Sequence, residues 1–243
     1  MARIIVKGVS KSYGKVTALS DVTVEFADGV TTAVVGPSGS GKSTLLQSIN
    51  GLVRPNAGTV YVFDKPIDYG HLPALRRQIG YAVQGTGLFP HLNVEKNITL
   101  LARLVGWGTD RIRGRAEELM SLVGLSWDYA VRYPHELSGG QQQRVGLCRA
   151  MMLNPPIFLL DEPFGALDPV TRQEIHQEFL RLQASEPRTM VLVTHDLREA
   201  LKLAQRMLVL DRGGIAQHSP CAEIVNAPAD EFVRTFFRSQ LDA

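Results

Sequence analysis

Along this chain the rhythm of hydrophobic and polar positions changes, and the changes mark out its organisation. Near the N-terminus Val22, Val24 and Phe26 alternate with Thr23 and Glu25. A period of two predicts a half-buried strand of an antiparallel sheet. Further on, apolar residues come in short unbroken runs: Ala33-Val34-Val35, Ile157-Phe158-Leu159-Leu160, Met190-Val191-Leu192-Val193 and Met207-Leu208-Val209-Leu210. Such runs predict strands covered on both faces, as in a mostly parallel sheet flanked by helices. Between them the period lengthens to a helical one, in Ile112, Ala116, Leu119 and Val123 and again in Ile175, Phe179 and Leu182. Strands alternating with helices predict an α/β fold. From Gly87 to about Asn154 only the helical period recurs, which predicts a helical insertion into the α/β core. After about Pro220, the positions of Phe232, Phe236 and Phe237 predict a short amphipathic helix.

Composition narrows the function classes. The 243 residues suffice for one sizeable core with one or two sub-domains. The net charge of +2 does not suggest a nucleic-acid surface, and Arg111, Arg113 and Arg115 alternate, as on a solvated helix, rather than cluster. Nucleic acid is therefore not an expected partner. The two cysteines, Cys148 and Cys221, have no pairing or metal-binding spacing and fit packed thiols in a reducing compartment. The apolar run within Met1 to Lys7 is too short for a signal peptide, and no apolar stretch approaches the ~20 residues that span a bilayer. A role at a membrane would need docking through another protein.

Three segments carry chemistry. Gly36, Pro37, Ser38, Gly39, Ser40, Gly41, Lys42 and Ser43 match G-x-x-x-x-G-K-[ST] in full, between the predicted strand at Ala33 to Val35 and a predicted helix from about Lys42 to Asn50. Glycines let the backbone wrap closely around phosphates, so that amides and the helix N-terminus face the anion. In this setting Lys42 is expected to neutralise the β- and γ-phosphates and the Ser43 hydroxyl to ligate Mg²⁺. The second segment is the apolar run ending in Asp161 and Glu162. Neighbouring strand side chains point to opposite faces, so the two acids are expected to do different work. Asp161 would serve the Mg²⁺ shell, and Glu162 would act on the attacking water as general base or positioner. Taken alone the pair reads as a polar strand end; with a P-loop upstream it gains chemical meaning. The third segment is Leu137-Ser138-Gly139-Gly140-Gln141, where Ser138 suits an N-cap and the two glycines leave a positive helix start able to receive an anion.

The P-loop, Gln84, Leu137 to Gln141, Asp161-Glu162, Ala166-Leu167-Asp168 and His195 follow in the order of an ABC-type ATPase domain, and the chain resembles that family over essentially its whole length. The resemblance implies a single domain over 1–243. Its P-loop NTPase core would be made of 1–86 and 155–220 with an antiparallel β subdomain, a helical signature subdomain of 87–154 and a helical tail of 221–243. It also implies ATP and Mg²⁺ as ligands and a head-to-tail dimer with a second copy, each ATP lying between one copy's P-loop and the other's signature segment. In that arrangement Tyr13 resembles the aromatic that stacks on adenine. Thr44 joins the phosphate loop, and Ser138, Gly139, Gly140 and Gln141 serve the partner's nucleotide. Gln84 resembles the residue sensing Mg²⁺ and water, Asp168 the aspartate that reaches across the dimer, and His195 the switch histidine on the γ-phosphate. Lys42, Gln84, Glu162 and His195 are then the candidate catalytic residues, and Ser43, Gln84 and Asp161 the candidate metal ligands.

Within the family, Ile79 to Gln84, Gly87 to His91, Tyr133 to Leu137 and Pro163 to Asp168 resemble bacterial importers of osmoprotectants such as glycine betaine, choline and carnitine. That resemblance implies separate permease subunits gripped by the loop from Gly85 to His91, and a periplasmic or lipoprotein solute-binding protein acting at one remove. It implies a peripheral position on the cytoplasmic face of the inner membrane. Leu88, Phe89 and Pro90 are candidate docking residues, with ordinary loop packing as the other reading of Phe89. Gly85 departs from the glutamine or serine more usual there. Some of these importers carry a C-terminal pair of regulatory domains; the sequence ends at Ala243, so osmotic control is expected to come from elsewhere or to be absent. One other reading stays open, an ATPase for a different solute or an exporter. A soluble ABC protein usually shows two cassettes or a long coiled-coil insertion, and the sequence shows neither; Lys42, Glu162 and His195 argue against a regulatory module that does not hydrolyse ATP.

Overall fold

The computed structural model describes residues 3–85 and 87–241. Met1 and Ala2, Thr86 in the proposed docking loop, and Asp242 and Ala243 at the chain end lie outside them. The chain divides into two compact units, Met1–Leu75 with Pro187–Ala243, and Arg76–Glu186.

In the first unit, β1 (Ile4–Tyr13) and β2 (Val16–Phe26) pair antiparallel, with Val6 opposite Val24 and Val9 opposite Val22. Val22, Val24 and Phe26 are buried while Thr23 and Glu25 are exposed, so the period of two marks one core face. Strand β3 (Thr31–Val35) is buried throughout and leads to α1 (Lys42–Ile49). Strand β4 (Ala57–Val62) borders β1 on its other side and pairs with the short β5 (Lys65–Pro66), before α2 (Leu72–Arg76).

The second unit opens with β6 (Ile79–Ala82) and continues through α3 (Val94–Leu104), α4 (Thr109–Leu122) and α5 (Gly139–Met151). It closes with β7 (Ile157–Asp161) and α6 (Pro169–Ser185). No strand occurs between Gly87 and Asn154 among the described residues. Ile112, Ala116 and Leu119 form the buried stripe of α4, and Ile175 and Phe179 that of α6. Cys148 packs against α4, donating its thiol to the Leu119 carbonyl at 3.3 Å, and burial pushes its pKa up. Strands β6 and β7 run parallel, Ile79 opposite Ile157 and Ala82 opposite Leu160.

Back in the first unit come β8 (Thr189–Val193), α7 (Leu197–Leu203), β9 (Arg206–Asp211), β10 (Gly214–Pro220), α8 (Cys221–Asn226) and α9 (Glu231–Leu241). Strand β3 lies between β8 and β9 and is parallel to both, Val34 facing Val193 and Leu208. Strand β10 is antiparallel to β9. The fold is thus α/β, with parallel strands, an antiparallel sheet and packed helices. The tail forms two helices rather than one. Pro228 follows the end of α8 and has no N–H with which to continue it, and α9 then buries Val233 and Phe237 against the apolar face of α7.

Candidate functional site

The phosphate loop belongs to the first unit. Gly36 has φ 148° and Gly41 φ 102°, and a Cβ at either would lie 2.1 Å from the Leu210 carbonyl oxygen or 2.2 Å from that of Ala18. Only glycine lets the loop lie this close to neighbouring backbone. Ser38 and Gly39 are exposed at its tip, and Ser40 N–H donates to the Pro37 carbonyl at 3.2 Å, closing a turn. Lys42 folds its ammonium back onto the loop, donating to the carbonyls of Gly36 and Pro37 at 2.8 Å each. Gly41 caps α1 without a side chain, so among the described residues no side-chain cap of the Asp or Ser kind closes the helix start. The buried Ser40 Oγ has no hydrogen-bond partner among the described residues. An orphaned hydroxyl beside a cation and a helix start suits a ligand rich in oxygen acceptors.

Two other candidates lie in this unit. Tyr13 ends β1 with half its surface exposed (49%), and the Lys11 ammonium stands 5.2 Å from its ring centroid. His195 is exposed two residues after the end of β8. Its turn is held on the far side by Asp196, which accepts from the N–H groups of Arg198 and Glu199 at 2.9 and 3.1 Å to start α7.

The second unit holds the paired acids. Strand β7 carries Asp161 to a buried position (2% exposed), whereas Glu162 steps off the strand with φ 49°. A non-glycine residue in this left-handed region stores of order 1 kcal/mol or more. The register of β6 on β7, which sets Ala82 opposite Leu160, carries forward two residues and brings Gln84 beside Glu162. Gln84 Nε2 donates to Glu162 Oε2 at 3.4 Å.

The signature segment is in the same unit. Ser138 Oγ accepts from Gln141 N–H at 3.3 Å and Gln141 Oε1 accepts from Ser138 N–H at 2.9 Å, a reciprocal capping box that starts α5. The helix start lies against the loop after β7, for a Cβ on Gly140 would be 3.0 Å from the Ala166 carbonyl oxygen. Asp168, at the end of that loop, caps α6 by accepting from Thr171 N–H at 3.0 Å, and this N–H bond holds its carboxyl below the usual carboxylate range.

Three polar residues that motif reading passed over support these groups. Gln143, one turn into α5, donates to the Glu162 carbonyl and accepts from Ala166 N–H, both at 2.9 Å. Asn97, fully buried in α3, accepts from Phe89 N–H at 2.8 Å and donates to the carbonyls of Phe89 and Leu92 at 3.1 and 2.8 Å. Arg149 donates to the Gly87 carbonyl at 2.8 Å and lies 5.7 Å from the Phe89 ring, burial pulling its pKa down. Gly87 and Phe89 are held through their backbone while Phe89 keeps 41% of its surface exposed. The available signal was weak: Gln143 and Asn97 are polar residues on otherwise apolar helix faces.

The candidate metal ligands Ser43, Gln84 and Asp161 supply a hydroxyl, an amide carbonyl and a carboxylate, all hard oxygen donors. No group of three or more His, Cys, Asp or Glu side chains suited to a metal occurs among the described residues. That donor set fits Mg²⁺, which is commonly held by one or two carboxylates together with water and substrate phosphate rather than by a protein cage.

Comparison with known proteins places the chain among ATP-binding subunits of transporters by similarity. The family model described as ABC transporter matches residues 19–165. The choline transport ATP-binding protein OpuBA of Bacillus subtilis is 45% identical over 234 residues, which cover 96% of this chain and 61% of that protein. The glycine betaine uptake system ATP-binding protein YehX of Escherichia coli is 46% identical over 234 residues, covering 96% and 76%. A sulfate/thiosulfate import ATP-binding protein, CysA of Synechocystis, is 42% identical over 233 residues, covering 96% and 65%. The chain spans about three fifths of the length of the Bacillus relatives, 61% and 60%. Among solved structures, the dimeric post-hydrolysis state of the ATP-binding cassette MJ0796 bound to ADP and Pi has a TM-score of 0.85 at 34% identity, covering 90% of this chain and 98% of that one.

Proposed function

The chain belongs to the ABC transporter family, and we propose that it is the ATP-hydrolysing subunit of a bacterial importer for quaternary-amine osmoprotectants such as glycine betaine, choline or carnitine. The observation that carries the hydrolytic reading is the end of β7, where a buried Asp161 is followed by Glu162 on a left-handed residue beside Gln84. The backbone N–H groups of Gly36 and of Ser38 to Thr44 and the Lys42 ammonium bind the phosphates, and Tyr13 stacks on the adenine. Ser43, Gln84 and Asp161 would hold Mg²⁺, which when bound supplies charge neutralisation at the β- and γ-phosphates. Glu162 orients the attacking water and takes its proton, Gln84 restrains that carboxylate, and His195 donates to the γ-phosphate.

The signature start at Ser138, Gly139, Gly140 and Gln141 faces away from its own chain's chemistry in this reading, receiving the γ-phosphate held by a second copy, with Asp168 reaching across. The dimeric state of MJ0796 supports that arrangement. Phe89 and its neighbours dock a permease subunit, and a solute-binding protein acts on the permease. No helix among the described residues is long and apolar enough to cross a membrane. A subunit gripped by a permease in this way would sit peripherally on the cytoplasmic face of the inner membrane.

The solute class rests on OpuBA and YehX, whose names specify choline transport and glycine betaine uptake. A second reading, an importer of another solute, is favoured by the similarity to the sulfate/thiosulfate protein CysA. Glu162→Gln tests the hydrolytic reading. Turnover should fall by about 10²–10⁴-fold while ATP still drives dimer formation in size-exclusion chromatography. Near-normal hydrolysis would overturn the role of Glu162. Uptake of labelled glycine betaine against labelled sulfate, in cells with and without the subunit, separates the two solute readings.

A further inference from the structure

Glu162 keeps a backbone conformation that a glutamate does not favour, φ 49°. Such a residue persists only where its surroundings over-determine it. The restraint comes from another element. Gln143 of α5 sets its side-chain amide against the turn after β7 as a strand partner would, Nε2 donating to the Glu162 carbonyl and Oε1 accepting from Ala166 N–H. Both bonds are 2.9 Å and the side chain is only 6% exposed, so water cannot readily replace either. Two other bonds to Glu162 are longer: Gly165 N–H reaches its carbonyl at 3.4 Å, and Gln84 reaches its carboxylate at 3.4 Å.

We infer that Gln143 is a positioning residue for hydrolysis, holding the strained Glu162 backbone, and with it the carboxylate, from helix α5. This rests on the reading of Glu162 as the group that acts on water. Because α5 begins at the signature segment, the same amide ties the base serving one nucleotide to the helix start that meets the nucleotide of the other copy. The direction of an attacking water is set by the last ångström of carboxylate placement, so loosening this turn should cost rate rather than affinity.

The test uses the full-length subunit and steady-state ATP hydrolysis. Gln143→Leu removes both hydrogen bonds at similar volume, and kcat should fall on the order of 10- to 100-fold with KM for ATP within about twofold. Gln143→Glu keeps an acceptor for Ala166 but loses the donor to the Glu162 carbonyl. Burial raises the pKa of the introduced carboxyl, and once protonated it donates again. The ratio of variant to wild-type kcat should therefore climb as pH is lowered from about 8 to about 6, which a purely structural role would not produce. A kcat for Gln143→Leu within about twofold of wild type, or a Gln143→Glu ratio flat across that range, overturns the inference. If Gln143→Leu yields no folded protein, the pH ratio decides alone. Normal hydrolysis by Glu162→Gln would instead remove the reading beneath it, whereas normal Gln143→Leu beside an inactive Glu162→Gln removes only the clamp.

Discussion

At the scale of single residues, His218 shows how placement within a ladder creates a pH response. It lies on β10, where Arg206 Nε donates to its Nε2 at 3.3 Å, a bond that requires the neutral ring as acceptor. Burial first, and then the charge of Arg206, holds its pKa below the ordinary imidazole value. The unfolded chain therefore takes up this proton at a higher pH than the folded one. The stabilisation is present above the unfolded value of about 6.5 and is lost as pH falls from there through the folded pKa. His218→Gln keeps an acceptor for Arg206 and removes the titration. Between about pH 7.5 and pH 5.5 wild-type Tm should drop further than that of the variant, as scanning calorimetry would read; equal slopes would remove the assignment. Nothing in the sequence marks His218 among six histidines, because its shift depends on a cross-strand neighbour. Lys42 and Glu162 are legible for the opposite reason: each stands in a motif whose spacing encodes its local backbone.

At the scale of elements, helix α5 is where local signals and tertiary demands meet. Its start is written in the sequence, since Ser138 followed three residues later by Gln141 is a capping box, and the structure forms both bonds. Ser138→Ala deletes the side-chain acceptor for Gln141 N–H and should cost about 1 kcal/mol. Urea denaturation should show a lower midpoint with an unchanged m-value; an unmoved midpoint would mean that tertiary contacts alone hold the helix start. The rest of the helix is less legible. Gly140 reads as a flexible helix start, yet it is also small because the Ala166 backbone passes beside it. The same holds elsewhere. The unbroken apolar runs announce β3, β7, β8 and β9, since burial on both faces demands them, while β4 opens on Ala57-Gly58-Thr59 and only its end, Val60 to Val62, is apolar; β1 fixes it by pairing Val6 with Val60. The aromatic tail announces a helix but not its interruption near Pro228, which depends on α9 seating Phe237 in a core built by α7.

At the scale of the whole molecule, what distinguishes a transport subunit from a free ATPase is a surface that something else must grip. The loop around Phe89 has the properties such a surface needs. Asn97 fixes its backbone from inside with hydrogen bonds of 2.8 and 3.1 Å to Phe89, and Arg149 holds Gly87 from the side, so little order remains to be gained on binding. A large apolar ring is nevertheless left 41% exposed. An exposed aromatic on a pre-ordered loop matches the anchors that dominate protein interfaces, where truncation costs about 2 kcal/mol or more, some thirtyfold in affinity. Phe89→Ala should therefore leave ATP hydrolysis by the isolated subunit and its Tm close to wild type while abolishing co-purification with permease subunits and solute uptake. Packing gives the opposite pattern: were Phe89 there to hold its own loop, Tm would fall and the permease would still be retained. The two outcomes separate because Asn97 and Arg149, rather than the ring, carry the order of the loop.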